Sequence, residues 1–260
     1  MNNHLTKGHV LEVLLIFALP YLLASFLQGF YGMADLYIVG QFNGADIISA
    51  VSIGSQFMHL ITVIIIGMAM GATIRTGHAV GREDYHDASC IVGNTSLLFI
   101  GIALVITVML LCLTSPIIQL MSTPPEAIKA TYDYLIICFI GIPFIFSYNV
   151  ISSIYRGTGD SKSPMYFVLV SCITNIILDY IFVGYFHLGA SGAALVTVCA
   201  QALSTIIALL AMMKKSFVFP IQKKILALIF FTLEKFFHQE FPLRFKMVDS
   251  SVIFDHYNYR

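Results

Sequence analysis

Charged side chains are scarce in this chain. Asp, Glu, Lys and Arg make up 11% of its 260 residues, whereas a soluble domain typically carries about 25%. Hydrophobic residues make up 58%, and the mean hydropathy is +0.86. The 14 basic residues balance the 14 acidic ones and form no basic stripe, so nothing indicates nucleic-acid binding. This composition excludes an ordinary soluble domain and indicates that most of the chain lies in a lipid bilayer.

Sequence motifs of catalysis and of metal binding are also lacking. The five cysteines form no CxxC pair, the eight histidines show no HxxxH or HExxH spacing, and no nucleotide-binding loop or nucleophile–base pair is evident. We interpret the cysteines as small buried hydrophobic residues, and His59, which lies inside a hydrophobic segment, as a packing residue. The protein is therefore predicted not to be an enzyme and to need no cofactor.

Six hydrophobic segments are long enough to cross a bilayer, which takes about 20 mostly apolar residues. They cover approximately residues 13–38, 47–74, 91–115, 132–154, 164–186 and 191–213. Residues 1–220 are predicted to form an all-α, polytopic bundle of six transmembrane helices. The mixed-charge stretch 75–89 is predicted to be a short amphipathic helix at the membrane surface. Residues 221–260 contain 10 of the 28 charges and are predicted to be a divergent cytoplasmic or interfacial tail.

Basic residues in the connections orient the bundle. If the N-terminus is cytoplasmic, nine Lys and Arg residues fall on the inner side and only Lys129 falls on the outer side. Positive residues concentrate on the cytoplasmic side of membrane proteins. We therefore predict a multi-pass protein of the cell membrane with a cytoplasmic N-terminus. The inner residues are Lys7, Arg75, Arg82, Arg156, Lys162, Lys214, Lys215, Lys223 and Lys224.

Two carboxylates lie inside hydrophobic segments that carry almost no other charge. Asp35 lies near the end of the run 13–39, and Asp179 lies inside the run 164–186. A carboxylate at membrane depth costs roughly 2.5–3.5 kcal/mol on insertion scales, so such residues usually face a bundle interior or a water-filled cavity. They often mark the path of an ion or a substrate, which makes a transporter the first hypothesis for this chain.

Other polar side chains accompany the two carboxylates. Thr197 and Tyr134 are predicted to lie at the same depth as the carboxylates, on the order of 8–11 Å below the outer helix ends. Polar faces recur at helical spacing: Gln28 and Asp35 in the first span, Ser171, Asn175 and Asp179 in the fifth, and Thr197, Gln201, Ser204 and Thr205 in the sixth. Such groups can also bond neighbouring helices together, and we favour that interpretation for Ser171, Ser204 and Thr205.

The chemistry of this set suits a coupling ion. A carboxylate in a partly dry pocket can take up and release a proton near neutral pH, and two Asp side chains with Asn and Thr oxygens can equally hold Na⁺. The predicted cation-coupling residues, for H⁺ or Na⁺, are Asp35, Asn175, Asp179 and Thr197. Pro20, in the middle of the first span, removes a backbone hydrogen bond and permits a helix bend.

Three short motifs carry a resemblance to a known family. They are the run Met33-Ala-Asp-Leu-Tyr-Ile-Val-Gly40, the run Thr174-Asn-Ile-Ile-Leu-Asp179, and the connection RGTGDSKSP at 156–164. Together with the six spans, Pro20 and Gln28, they resemble the multidrug and toxic compound extrusion (MATE) transporters over roughly residues 8–220.

This resemblance implies one lobe of a twelve-helix, cation-coupled multidrug efflux antiporter, here truncated to the N-terminal lobe. It places the coupling site at Asp35, Asn175, Asp179 and Thr197, with Tyr134 beside the site and Gln28 lining the cavity. It also implies that ion binding drives a bend of the first helix at Pro20. The implied partners are the lipid bilayer and bulky cationic or aromatic drugs.

Several alternatives stay open at this point. The chain could be an inactive membrane fragment, or a half-transporter that pairs with a separate second lobe or with another copy of itself as a homodimer. A flippase for a lipid-linked precursor is a further alternative. It is disfavoured because the predicted spans carry no basic residue to bind a pyrophosphate.

Overall fold

The computed structural model describes residues 10–214, and every regular element in this range is helical. The predicted tail at 221–260 lies outside the described residues. The α-helices are α1 (Val10–Phe42), α2 (Ala45–Gly81), α3 (Tyr85–Cys112), α4 (Thr114–Leu120), α5 (Ile128–Ile140), α6 (Ile142–Gly157), α7 (Lys162–Asp179) and α8 (Gly189–Lys214). A 3₁₀ turn at Pro125–Ala127 precedes α5, and a π-helical segment at Tyr180–Tyr185 extends α7.

The helices have the length and the apolar surface of membrane spans. Within residues 10–214, five helical segments are long and apolar enough to cross a bilayer, and a sixth joins them when α5 and α6 count as one bent span. Large apolar side chains such as Leu11, Phe26 and Val105 are exposed on their outer faces. Exposed apolar surface on this scale marks contact with lipid or protein rather than water. The fold is therefore that of an all-α, multi-pass membrane protein.

The bent span formed by α5 and α6 is the core of the bundle. Every residue from 141 to 155 is buried. Helix α6 packs against α2, α3 and α8, and α5 packs against α2 and α8. Helix α1 packs mainly against α7, which in turn packs against α8. This arrangement makes neighbours of the two helices that carry Asp35 and Asp179.

The fourth predicted span, 132–154, is broken rather than straight. Helices α5 and α6 meet at Gly141 with a bend of 45°. Pro143, in the first turn of α6, has no N–H with which to continue the hydrogen-bond ladder of α5. Gly141 also leaves room for the side chain of Val198 on α8. The bend lets one span pack against helices on several sides.

The predicted amphipathic helix at 75–89 is wrong. Helix α2 continues to Gly81 and α3 begins at Tyr85, so only residues 82–84 connect them. Glu83 takes a positive φ of 61°, and the Asp84 carboxylate caps α3 by accepting a hydrogen bond from the Asp87 N–H at 2.9 Å. The polar residues of this stretch belong to the ends of two long helices that continue beyond their apolar parts.

Contacts between helices define two ends of the bundle. At one end, Gly157 lies against Thr73 and Thr76 of α2. At the other end, Gly184 lies against Phe42, and Gly189 lies against Ile47. We call the first the basic end, because the elements that meet there carry Arg75, Arg82, Arg156, Lys162 and Lys214.

Gly157→Ala is expected to destabilise the bundle. A Cβ at this position would lie 2.8 Å from Thr76 Cβ and 2.9 Å from the Thr73 carbonyl oxygen, so α6 would have to move away from α2. We expect a loss of about 1–3 kcal/mol in the free energy of unfolding. A thiol-reactive dye measures it on heating through the exposure of the buried Cys138 and Cys172, in a background where the exposed Cys90 and Cys112 are replaced by Ser.

Gly101→Ala is the matched control for this variant, because a Cβ there meets no atom within 4 Å. Equal unfolding midpoints for the two alanine variants would contradict the close packing of α2 and α6.

Candidate functional site

Two buried carboxylates meet between α1 and α7. Asp35 is 5% exposed and Asp179 is 0% exposed. Their side chains are close enough for the ionisation of one to affect the other. Ionised carboxylates only accept hydrogen bonds, so the two groups face each other stably only when a proton or a cation lies between them.

The polar atoms of this pair have no donor from the protein. Both carboxylate oxygens of Asp179, Oδ1 of Asp35 and both amide atoms of Asn175 are buried and receive or donate no hydrogen bond within the described structure. Asn175 lies one turn before Asp179 on the same face of α7. Buried polar groups in proteins are nearly always hydrogen-bonded. A cluster of buried oxygens without donors is therefore the arrangement expected of a site that takes up an ion.

Two tyrosines lie close to Asp35. Tyr134 is buried, interacts with Cys138, and is near enough to Asp35 for the carboxylate charge to act on it. Tyr31, one turn before Asp35 on α1, accepts a hydrogen bond from Gln201 Nε2 at 3.4 Å and is also within reach of the Asp35 charge. The sequence analysis missed Tyr31 and Cys138. The spacing of four residues between Tyr31 and Asp35 was the available signal for the tyrosine.

Thr197 lies level with the pair but does not bond to it. Helices α1 and α8 run in opposite directions, so the contact between Tyr31 and Gln201 places Thr197, one turn before Gln201, at the height of Asp35. The Thr197 hydroxyl donates to the Ala193 carbonyl oxygen of its own helix at 3.1 Å. Among the described residues no hydrogen bond joins it to either carboxylate.

Gln28 and Pro20 lie away from the carboxylate pair. Gln28, about two turns before Asp35 on α1, lines a separate small cavity toward the basic end, together with Arg156. Pro20 is buried inside α1, which is helical on both sides of it. The structure thus brings Asp35, Asp179 and Asn175 to one region and leaves Gln28 and Pro20 outside it.

The helix carrying Asp179 changes its geometry at that residue. Helix α7 ends at Asp179, and the next six residues, Tyr180–Tyr185, are π-helical. The wider turn of a π-helix re-aims side chains and disturbs the backbone ladder, and π-helical segments are frequent at functional sites. The Asp179 carboxylate therefore lies where the α-helix ends and the π-helical segment begins.

The polar residues of α8 behave differently from those of α7. Ser204 donates to the Phe167 carbonyl oxygen at 3.0 Å, and Thr205 donates to the Phe144 carbonyl oxygen at 3.1 Å. These bonds fasten α8 to α7 and α6, in agreement with the packing interpretation of both residues. Ser204 and Thr205 thus have hydrogen-bond partners on neighbouring helices, whereas the Asp179 carboxylate has none among the described residues.

His59, predicted to be a packing residue, is not packed inside the bundle of residues 10–214. His59 is exposed on α2, as is Gln56 one turn before it. Polar and ionisable side chains inside a span face protein or water rather than lipid. The face of α2 that carries these two residues therefore lines a wet cavity or a protein interface.

Comparison with known proteins identifies the family of this chain. The MatE family model matches residues 20–181. The match covers more than half of the chain, and the chain belongs to the MATE family.

Curated relatives and solved structures agree with this assignment. The chain is 31% identical over 214 residues to the probable multidrug resistance protein YoeA of Bacillus subtilis, covering 81% of the chain and 46% of the relative. It is 28% identical over 213 residues to the probable multidrug resistance protein YpnP of the same organism, covering 82% and 48%. A crystal structure of MATE in the bent conformation matches with a TM-score of 0.78 at 22% identity, covering 85% of this chain and 49% of that chain. The chain thus spans about half the length of the relatives it matches.

Asp179→Asn is expected to remove a pH-dependent loss of stability. Alkaline buffer without Na⁺ ionises both carboxylates of the wild type, and their repulsion lowers the free energy of unfolding. The thermal midpoint of the purified protein, followed by circular dichroism, should therefore fall as the pH rises. With Asn at position 179 only one charge is left in the pair, and the fall should be smaller.

The exposed Asp46, in the first turn of α2, supplies the matched control. Asp46→Asn should keep the wild-type pH profile. If Asp179→Asn keeps that profile as well, the carboxylate pair does not control the stability of the bundle.

Proposed function

We propose that this chain forms the ion-coupled lobe of a multidrug efflux antiporter that exchanges H⁺ or Na⁺ for bulky cationic or aromatic drugs. One observation carries the proposal: Asp35 and Asp179 are buried close to each other, and no residue in the described range 10–214 donates a hydrogen bond to Asp35 Oδ1 or to either carboxylate oxygen of Asp179. Membership of the MATE family and the similarity to probable multidrug resistance proteins support drug efflux as the transport process.

The coupling ion would act on the contact between α1 and α7. A proton or Na⁺ between the carboxylates removes their repulsion and draws the two helices together, and release of the ion restores the repulsion. An ion shifts a conformational equilibrium only by binding one state more tightly than the other. The pair satisfies this requirement because moving α1 away from α7 separates its two halves.

The donor set accommodates either coupling ion. The described residues contain no group of three or more His, Cys, Asp or Glu side chains that could hold a metal ion. A Na⁺ ion would therefore rely on the two carboxylates together with neutral oxygens, of which Asn175 Oδ1 is buried and unbonded. Na⁺ is a hard cation that accepts such oxygen ligands. Thr197 would join the set after a change of its side-chain rotamer.

The drug would move along the face of the lobe that carries polar side chains on α1 and α2. Gln28 on α1 and the exposed Gln56 and His59 on α2 supply polar contacts at membrane depth. Because the matched relatives are about twice as long, we propose that a second six-helix unit closes this path, supplied in the same polypeptide or by a second copy. Pro20, inside α1, is the proposed position of the helix bend that opens and closes the path.

The basic end is the proposed cytoplasmic side. The connections that meet there carry most of the Lys and Arg residues of the described range, whereas Lys129 lies near the opposite end. The carboxylate pair then lies in the outer half of the bilayer, from which its ion can exchange with the outside.

Asp35→Asn and Asp179→Asn should each abolish drug efflux while the protein still inserts in the membrane. We expect at least about a tenfold loss of the efflux rate, because removing either partner of a coupled buried pair removes the ion exchange that drives transport. The measurement is the extrusion of a fluorescent cationic dye by cells that lack their own efflux pumps, with the membrane abundance of each variant quantified in parallel.

Asp46→Asn should transport like the wild type in the same cells. Efflux that survives in both pair variants would disprove ion coupling at this site. Wild-type cells without efflux, in contrast, would show that this chain needs its second six-helix unit, which co-expression of a second lobe tests directly.

A further inference from the structure

A small polar cavity lies between α1 and α6 toward the basic end. It has room for about one or two water-sized groups, with a volume of about 30 Å³. Its lining includes Tyr21 and Gln28 of α1, Tyr148, Asn149 and Arg156 of α6, and Ser161 of the connection to α7. The cavity is separate from the carboxylate pair, because Gln28 lies about two helical turns from Asp35 on the way to the basic end.

Arg156 brings a positive charge to this cavity without an acidic partner. Its Nε is buried and makes no hydrogen bond, and the cavity lining contains no carboxylate. The nearest acidic residue in the sequence, Asp160, accepts hydrogen bonds from the N–H groups of Lys162 and Ser163 and thereby caps the start of α7. Arg156 as a whole is half-buried, but a buried N–H without an acceptor is costly, so the Nε–H favours a ligand that supplies one.

Further donors line the same space. The Gln28 amide and the Ser161 hydroxyl make no hydrogen bond to another described residue. Tyr148 and Asn149 are already engaged, because they donate to the carbonyl oxygens of Pro164 and Ile145. The free groups are thus a guanidinium, an amide and a hydroxyl. Guanidinium groups bind carboxylate and phosphate oxygens in a bidentate way.

We propose that this cavity is a binding site for one phosphate-like anionic group, held by Arg156 with help from Ser161 and Gln28. The small volume admits one or two oxygen atoms of the ligand, and the rest of the phosphate would lie at the open side of the cavity. The ligand is either free inorganic phosphate or the phosphate of an anionic lipid headgroup, and both present the same oxygens to the guanidinium. Arg156 lies at the end of α6, where a helix leaves the bilayer and headgroup phosphates are at hand.

A ligand in this cavity would affect the packing of α1, because Arg156 also contacts Tyr21 of that helix. The guanidinium carbon lies 5.4 Å from the centre of the Tyr21 ring, so a cation–π contact connects α6 to α1. This contact involves the face of the guanidinium and leaves the buried Nε–H without an acceptor. An anion bound to the guanidinium edge would hold Arg156 against the ring and so stabilise the packing of α1.

The test uses the purified chain and two probes. The first probe is sodium phosphate, titrated in detergent against sodium chloride at equal ionic strength. The second is a nanodisc of phosphatidylcholine with or without phosphatidylglycerol. The readouts are the thermal unfolding midpoint and the lipid retained in native mass spectrometry. Arg156→Gln is compared with Arg75→Gln, a matched control at an exposed arginine of the same end.

We expect phosphate, phosphatidylglycerol or both to raise the wild-type midpoint, and Arg75→Gln to respond in the same way. Arg156→Gln should weaken the apparent affinity by at least about tenfold, as expected for the loss of a charged hydrogen-bond donor. A response to free phosphate assigns the site to soluble anions, and a response to phosphatidylglycerol alone assigns it to the lipid headgroup.

The proposal is overturned if neither probe raises the wild-type midpoint, or if both arginine variants respond alike. If Arg156→Gln does not fold, Ser161→Ala and Arg156→Lys take its place. Each should weaken phosphate binding severalfold, and titrations of both that match the wild type would also overturn the proposal. None of these outcomes depends on drug transport, so the site is tested independently of the proposed function.

Discussion

Two carboxylates held against each other inside a lipid-embedded bundle form the constraint on which the rest of the structure depends. Asp35 and Asp179 are buried, three of their four carboxylate oxygens have no donor among the described residues, and the helices that carry them are direct neighbours. In a medium of low polarity two like charges at this separation repel strongly. A proton or a cation between the two carboxylates would remove this repulsion, and under the proposed function the packing of α1 against α7 depends on it.

Helix α1 is the element best placed to respond to that ion. Only 11% of its most apolar stretch is buried within the lobe, compared with 56% for α8. Its main contacts are with α7, near Asp35, while at the opposite end Tyr21 lies over Arg156 of α6. Helix α1 thus has two contacts that involve a charged residue, one at Asp35 and Asp179 and one at Tyr21 and Arg156. At each contact a buried polar atom has no hydrogen-bond partner among the described residues. Pro20 adjoins the second of these contacts and lacks the N–H that would stiffen the helix there.

The sequence predicts the helices of this bundle better than their ends and joints. Hydropathy alone locates the spans, because an apolar run of this length has no other stable surroundings. It does not show that α2 and α3 continue through the charged stretch 75–89, since a helix outside the lipid does not need an apolar face. The break at Gly141 has a local cause in Gly141 and Pro143, but hydropathy does not register it. The π-helical turn after Asp179 has no such signal in the local sequence.

The candidate site, like the helix ends, can be predicted from the sequence only in part. Asp35 and Asp179 can be predicted because a charged residue inside an apolar segment is rare and costly. Asn175 can be predicted because it lies one helical turn before Asp179. Spacing also links Gln28 to Asp35, yet two turns of α1 carry Gln28 into a different cavity. Tyr134 and Cys138 reach Asp35 only because α5 packs into the centre of the bundle and Gly54 of α2 leaves space for the tyrosine ring. The exposure of His59 likewise depends on how weakly α1 and α2 pack together.

Infrared difference spectroscopy of the purified protein tests the central claim most directly, because the C=O stretch of a protonated carboxylic acid is separate from the bands of carboxylates. We predict a protonated-acid band in Na⁺-free buffer near neutral pH that disappears in alkaline buffer, that has an altered pH dependence in Asp35→Asn and in Asp179→Asn, and that is absent when both residues are replaced by Asn. If Na⁺ is the coupling ion, adding it at constant pH should also remove the band. A band that is unchanged in both single variants, or the lack of any protonated acid in Na⁺-free buffer, would contradict the claim that this pair shares an ion.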